Sequence, residues 1–257
     1  IFMKLGLVLS GGGARGVAHV GVLKALDEMG VKFSIVSGTS AGSIVAALYA
    51  YGYQPDEIFS ITKSLSIFKS VSPAWTWAGL LKMDGLKALL HKYIPENNFS
   101  ALQIPLTVAA TEIRKGIVHY FTEGELVPAI VSSCSIPAIF HPVSYNGGLY
   151  VDGGLCDNLP VLPIRDKCDF VVGSHCNHIG SEFDISSLKV AIERSLLMAI
   201  SSNTLVSRQM CDVFIEPPGM DRYSSLAVGK AQEIFDYGYQ FTKQNFLPHH
   251  FQKPSTV

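Results

Sequence analysis

The chain has 257 residues, of which 48% are hydrophobic and 16% are charged, so it is long and apolar enough to fold around a large core. Lys and Arg number 20 against 21 Asp and Glu, and the net charge of −1 excludes a broad basic surface for nucleic acid or anionic lipid. Any contact with a membrane must therefore be local and apolar.

The cysteine content and the apolar runs indicate the cellular compartment to expect. Five cysteines in no close-spaced framework favour reduced thiols over a disulfide scaffold. The first apolar segment is too short for a secretory signal, and no stretch reaches the roughly 18 apolar residues that a spanning helix needs. We therefore expect a cytoplasmic protein whose membrane association, where it occurs, is peripheral. The cysteines are Cys134, Cys156, Cys168, Cys176 and Cys211.

Two strand-turn-helix units open the chain. Lys4 to Ser10 is a short apolar run that ends in glycines, and apolar residues then recur at helical spacing up to Gly30. Phe33 to Ser37 is a second strand-like run, and Ser43 to Tyr51 has the composition of a buried helix. Two such units in succession predict a parallel sheet.

The remainder predicts one α/β domain over residues 3–257. Residues 56–98 have a loose helical pattern and are expected to form a helical insertion or lid. Within them, residues 72–81 carry two tryptophans, which either touch bilayers as part of a lid or pack in the core. Residues 249–257 are expected to be a flexible tail. The other predicted strands are 106–111, 117–121, 148–151, 170–173 and 213–215, and the other predicted helices are 126–133, 185–206 and about 225–245.

The first glycine loop fits two uses. Gly11, Gly13 and Gly16 match the dinucleotide-binding fingerprint, but the acid that should follow the second strand and hold a ribose hydroxyl is missing. The other use is to aim backbone N–H groups at an anion, as in an oxyanion hole. Arg15, beside the loop, would add positive potential.

Residues 38–42 form a G-x-S-x-G elbow between a strand and a helix. Gly38 and Gly42 relieve crowding where the strand turns sharply, so that the hydroxyl of Ser40 is presented at the top of the sheet. Adjacent parallel strands bring this elbow and the glycine loop side by side at the edge where ligands bind in such folds. A turn of small residues for tight packing is the alternative.

A serine nucleophile needs a base, and three readings remain open. Asp152 with His175 or His178 could complete a triad, whereas those histidines with Cys176 could hold a metal, although no second ligand pair has matching spacing. Asp152 could also act directly if burial raises its pKa toward the working pH. Against this, the pair Asp152-Gly153 is also typical of a hairpin turn.

Together, the glycine run 11–16, the elbow 38–42 and Asp152-Gly153-Gly154 resemble the patatin-like phospholipase family, bacterial type, in order and spacing. Further similarity lies in residues 135–142 and 157–160, so the resemblance covers about residues 4 to 220. It implies a three-layer α/β/α sandwich with a mostly parallel central sheet. It also implies hydrolysis of lipid acyl esters through a Ser-Asp dyad, without catalytic histidine, metal or cofactor.

Carried over by position, Ser40 would be the nucleophile and Asp152 its general base. The expected partner is a lipid or ester substrate, in solution or at a membrane surface, and not nucleic acid. A catalytically silent lipid-binding scaffold of the same fold is the alternative. The oxyanion hole would comprise Gly11, Gly12 and Gly13 with Arg15 nearby and the Ala41 amide, and Gly38, Gly42, Gly153 and Gly154 would support the two motifs.

Overall fold

The computed structural model describes residues 3–64, 83–137, 139–180, 188–225 and 228–252; the predicted lid at 72–81 lies outside them. In this part of the chain, eight strands form one mixed sheet in the order β5-β6-β3-β2-β1-β7-β8, and β4 also pairs with β3. The strands are β1 (Leu5–Leu9), β2 (Ile35–Thr39), β3 (Leu106–Glu112), β4 (Ile117–Phe121), β5 (Val143–Tyr145), β6 (Gly148–Asp152), β7 (Phe170–Ser174) and β8 (Val213–Ile215).

Helices cover both faces of the sheet. In β1, Leu5, Leu7 and Leu9 point into the larger core, which the helices α1 to α5 and α8 share, whereas Val8 points to the other face and packs near α6. Alternation along each strand thus supplies two apolar faces, as a buried parallel sheet requires. The helices are α1 (Val17–Glu28), α2 (Ala41–Tyr51), α3 (Pro55–Ser64), α4 (Asp84–Tyr93), α5 (Leu126–Ser133), α6 (Leu162–Arg165), α7 (Leu188–Gln209) and α8 (Ala231–Asn245).

Strand β3 determines where the site lies. The parallel strand β2 pairs with its first half, with Thr39 beside Ala109, and the antiparallel strand β6 pairs with its second half, with Asp152 beside Ala110. Because β4 pairs along residues 108–112, it fills one edge of β3, and β2 and β6 must share the other. The ends of β2 and β6 therefore meet at consecutive residues of β3.

The predicted three-layer α/β/α fold is confirmed, with a parallel core from β3 to β8 and antiparallel strands at one side. Strand β5 and helix α6 were not predicted, and α8 begins at Ala231, after a 3₁₀ turn, rather than near 225. The predicted tail starts too early, since Pro248–Phe251 is a 3₁₀ turn with Phe251 buried. The single domain over 3–257 stays a prediction.

Helices α3 and α4 lie at the two ends of residues 56–98, which the sequence analysis predicts to be helical. Helices α3 and α4 each bury one apolar face in the larger core, through Ile58 and Ile61 in α3 and through Leu86 and Leu90 in α4. Spacings of three and four residues place each pair on one side of its helix. These two helices are therefore part of the folded core.

Among the helices that the structure describes, none combines the length and the apolar composition that a membrane span requires.

We predict that Gly42→Ala destabilises the fold. A Cβ at Gly42 would lie 2.4 Å from the carbonyl oxygen of Leu9, because the first turn of α2 packs directly on the end of β1. Overpacking of this kind costs about 1–3 kcal/mol, which urea unfolding would detect. Gly229→Ala is the matched control, since a Cβ there meets no atom of the described residues within 4 Å. Equal stability of the two variants would contradict the prediction.

Candidate active site

Ser40 occupies the sharp turn between β2 and α2. Its backbone has φ 50° and ψ −125°, a conformation that costs a non-glycine residue about 1–3 kcal/mol and occurs most often at functional sites. The turn is held by Ser133 Oγ, which accepts from the Ser40 amide at 2.7 Å and donates to the Ala109 carbonyl at 2.6 Å. A Cβ at Gly38 would lie 2.7 Å from the Gly42 carbonyl oxygen, so this part of the turn leaves no room for a larger side chain.

The glycine loop follows β1 and lies against this turn. A Cβ at Gly11 would come within 3.2 Å of the Ser40 Cβ, and Gly13 has a φ of +58°. The Gly11 amide donates to the Asn158 carbonyl at 3.2 Å, so it is already used within the protein. The amides of Gly12 and Gly13 have no acceptor within the described residues.

Arg15 is placed differently from the expectation. Its side chain is 3% exposed, and its Nε donates to the carbonyl oxygen of Tyr223 at 2.7 Å. It does not line the cavity that contains Ser40. The guanidinium therefore ties the segment around Tyr223 to the start of α1.

Asp152 ends β6 and faces the same space as Ser40. Its amide donates to the Ser135 carbonyl at 2.9 Å, and one carboxylate oxygen accepts from the Gly154 amide at 2.8 Å. Burial raises the pKa of Asp152 to about 6, although the Ser40 side chain and the hydrogen bond from the Gly154 amide oppose that rise. The chain continues as a 3₁₀ turn over Gly153–Leu155, so the hairpin alternative is wrong.

Both residues open on one cavity of about 440 Å³. The glycine loop, Ser40 and Asp152 belong to the polar part of its lining. Apolar side chains form most of the remaining wall, and four of them come from α7. They are Ile136, Pro137, Ile139, Leu155, Leu188, Ile192, Leu197 and Ile200. Leu188 and Ile192 are also largely exposed, so an apolar surface on α7 leads from the exterior into the cavity.

The histidine alternatives find no support in this arrangement. His175 is buried and its Nδ1 lies 2.7 Å from Glu216 Oε1, so its partner is Glu216 rather than Asp152. Neither His175 nor His178 lines the cavity. Among the described residues, no group of three or more His, Cys, Asp or Glu side chains is arranged to hold a metal ion. All five cysteines are free thiols.

Two asparagines of the site were not predicted. Asn158 and Asn177 line the cavity and are each 2% exposed. Asn158 follows the Asp152 turn, and Asn177 lies three residues after β7. Polar residues just past the carboxyl ends of parallel strands are candidates for ligand contact in such folds, and this rule could have identified Asn177.

Comparisons with known proteins give the family. The sequence pattern described as patatin-like phospholipase matches residues 7–164, which is more than half of the chain. The chain belongs to the patatin-like phospholipase family. The glycine loop, Ser40 and Asp152 all fall within the matched residues.

Relatives agree in sequence and fold. An NTE family protein of Mycobacterium tuberculosis is 35% identical over 183 residues, covering 70% of this chain and 50% of that protein. Lysophospholipase NTE1 of Kluyveromyces lactis is 28% identical over 279 residues, covering 95% of this chain and 19% of that protein. The chain thus spans half or less of these relatives. VipD from Legionella pneumophila, 16% identical, has the same fold with a TM-score of 0.54, over 94% of this chain and 66% of that one.

We predict that Asp152→Asn stabilises the protein at neutral pH. Because burial raises the pKa of Asp152 to about 6, keeping its carboxyl group ionised at neutral pH lowers the free energy of unfolding. The side-chain amide in Asp152→Asn carries no charge, and its oxygen can still accept from the Gly154 amide. The free energy of urea unfolding at pH 7.5 should rise by about 1–3 kcal/mol. The gain should shrink at pH 4.5, where the native carboxyl of the parent protein is protonated.

The exposed substitution Asp166→Asn serves as the control and should change stability by less than about 0.5 kcal/mol at both pH values. A loss of stability in Asp152→Asn at pH 7.5 would show that the buried carboxylate supports the fold instead of straining it.

Proposed function

We propose that the chain is a lipid acyl hydrolase, of phospholipase A or lysophospholipase type, that cleaves carboxylic esters through a dyad of Ser40 and Asp152. The observation that carries the proposal is that a serine in a strained elbow and a carboxyl group with a pKa of about 6 line one largely apolar cavity. Membership of the family and the name of the yeast relative point to the same reaction.

Acylation begins with proton transfer from Ser40 to Asp152. A base with a pKa near the working pH is ionised at neutral pH yet still basic enough to take a proton in the transition state. Burial supplies that pKa, and the Ser40 hydroxyl and the Asp152 carboxyl group line the same cavity, so the proton passes directly between them in the proposed mechanism. The Ser40 oxygen attacks the ester carbonyl carbon and a tetrahedral intermediate forms.

Backbone amides then stabilise the oxyanion of this intermediate. The amides of Gly12 and Gly13 are candidate donors because neither has an acceptor within the described part of the protein. The Ala41 amide is a third candidate, since it lies in the first turn of α2, where N–H groups lack intrahelical acceptors and the helix dipole is positive. We therefore place the oxyanion between the glycine loop and the start of α2, without Gly11 or Arg15.

Release of the products completes the cycle. When the tetrahedral intermediate collapses, Asp152 returns its proton to the leaving alkoxide, and the alcohol or lysolipid departs. Asp152 is again ionised and takes a proton from water, which attacks the acyl-enzyme. When the second tetrahedral intermediate collapses, the bond to Ser40 Oγ breaks, the fatty acid leaves and Asp152 returns the proton to Ser40. One carboxyl group thus serves both half-reactions.

The cavity wall supports an acyl chain as the bound part of the substrate. Its eight apolar side chains suit a hydrocarbon, and none of the described lining residues is Lys or Arg to hold a phosphate. The exposed Leu188 and Ile192 would contact lipid at the entrance, which fits substrate uptake at a membrane surface.

We predict that Ser40→Ala and Asp152→Asn each abolish hydrolysis of a chromogenic long-chain ester. The first removes the nucleophile and the second removes the base, so kcat should fall by at least about 10³-fold in each. A fluorophosphonate probe should label the parent protein at Ser40 and should not label Ser40→Ala. In the parent protein, kcat/KM should rise with pH through about 6, where Asp152 loses its proton.

The exposed substitution Ser195→Ala is the control and should keep full activity and labelling. Substantial turnover by either dyad variant would overturn the dyad, and absence of both turnover and labelling in the parent protein would favour the lipid-binding scaffold.

We further predict that Leu197→Trp shortens the acyl chain that the protein accepts. Leu197 lines the cavity, so a larger side chain there reduces the space for hydrocarbon. Activity on esters with long chains should fall relative to activity on butyrate esters. Its neighbour Met198 is 57% exposed and absent from the cavity wall, so Met198→Trp should leave the chain-length profile unchanged. Identical profiles for both variants would place the acyl chain elsewhere.

A further inference from the structure

The peptide between Gly11 and Gly12 is held by a side chain from the neighbouring strand. Asn177 Nδ2 donates to the Gly11 carbonyl oxygen at 2.6 Å. Strands β1 and β7 are parallel, with Leu9 beside Ser174, so the loops that follow them leave the same edge of the sheet. The loop after β7 therefore contacts the glycine loop after β1.

This contact fixes the direction of an amide. A trans peptide is planar, and its C=O and N–H groups point in opposite directions. Holding the Gly11 carbonyl against Asn177 therefore directs the Gly12 N–H to the other side of the peptide. Gly12 lines the cavity together with Ser40, and its amide has no acceptor within the described residues. Glycines flank this peptide, so its backbone alone does not fix its orientation, and the groups that donate to the Gly11 carbonyl must do so, of which Asn177 Nδ2 is the nearest.

The Asn177 side chain is not needed to satisfy the carbonyl that it contacts. Ser10 Oγ at 3.0 Å and Cys176 Sγ at 3.4 Å also donate to the Gly11 oxygen. Moreover, Asn177 Oδ1 is buried without a hydrogen-bond partner in the described part of the chain, which costs stability. An apolar side chain of the same size would avoid that cost, so stability alone does not account for an amide here.

We infer that Asn177 is a positioning residue that holds the Gly11–Gly12 peptide so that the Gly12 N–H points at the oxyanion. This role rests on the proposed ester hydrolysis, in which the Gly12 amide is a donor. Only the NH₂ group of Asn177 can face a carbonyl oxygen, so its amide has one orientation at this contact. Electrostatic stabilisation of a transition state requires donors that are aligned before the reaction, and Asn177 supplies that alignment.

The test is Asn177→Leu, which keeps the size of the side chain and removes the donor. We expect kcat to fall by about 10- to 100-fold with KM within about twofold, because the oxyanion donor is misaligned only in the transition state. The melting temperature should be unchanged or higher. Asn245→Leu is the control, since among the described residues the Asn245 amide bonds only to Phe241 of its own helix, and this variant should keep parental kinetics.

A transition-state analogue separates positioning from a general structural effect. A long-chain alkyl trifluoromethyl ketone accepts the Ser40 oxygen at its carbonyl carbon while the serine proton passes to Asp152, which leaves an oxyanion on the adduct. Its affinity should fall in Asn177→Leu by the same factor as kcat/KM, whereas a non-reactive alkyl ether of equal length should bind as before. Equal losses for both ligands, or parental kcat, would overturn the inference.

If the leucine variant does not fold, Asn177→Asp preserves the shape of the side chain and replaces the NH₂ group with oxygen. The same fall in kcat and in ketone affinity is expected, and parental values in this variant would equally overturn the inference. A parent protein that neither hydrolyses esters nor reacts with the ketone would instead refute the proposed function.

Discussion

The pairing of β2 and β6 with consecutive residues of β3 is the constraint on which the site depends. Thr39 lies beside Ala109 and Asp152 lies beside Ala110, so two strands of opposite direction end facing each other along one edge of β3. The residue after β2 is Ser40, and the last residue of β6 is Asp152. Residues separated by more than a hundred positions in sequence are thus brought together by backbone hydrogen bonds. Ser40 directly follows one strand and Asp152 ends another, and strands fix the positions of side chains more precisely than loops do.

Polar groups around this junction stabilise the strained backbone of Ser40 and the buried carboxyl group of Asp152. Ser40 has a positive φ, and the Asp152 carboxyl group is removed from water, so each alone would weaken the fold. Ser133 links the Ser40 amide to β3, and the Gly154 amide binds the carboxylate. Both Ser133 and the Gly154 amide are uncharged, so they fix the Ser40 amide and the Asp152 carboxylate in direction without supplying a counter-charge. Of the effects that the described residues exert on the pKa of Asp152, burial is the largest, and it keeps the carboxyl group basic enough to act on a hydroxyl.

The parts of the fold that follow from short-range patterns could be predicted from sequence. The first two strand-turn-helix units, the elbow and the strand before Asp152 each have a local signature, either a periodicity or a glycine at a turn. Strand β5 has only three residues and helix α6 has four, so neither shows a period. The direction of the Arg15 side chain depends on Tyr223, which is distant in sequence and has no motif. The position of Asn177 just past a strand could have marked it as a candidate, but its contact with Gly11 could not be predicted, because that contact exists only after β1 and β7 pair.

Uncharged side chains hold together the ends of β1 and β7, from which the glycine loop and the loop with Asn177 continue. His19 in α1 is buried, and this burial lowers its pKa to about 4, so the ring is neutral at working pH. Its Nε2 faces the Ser10 carbonyl at 2.9 Å and must carry the proton, which leaves Nδ1 to accept from Ser174 Oγ at 2.8 Å. The ring therefore joins the ends of β1 and β7. Because Ser10 and Asn177 both contact Gly11, the same two strand ends that His19 ties together also fix the peptide whose amide faces the cavity.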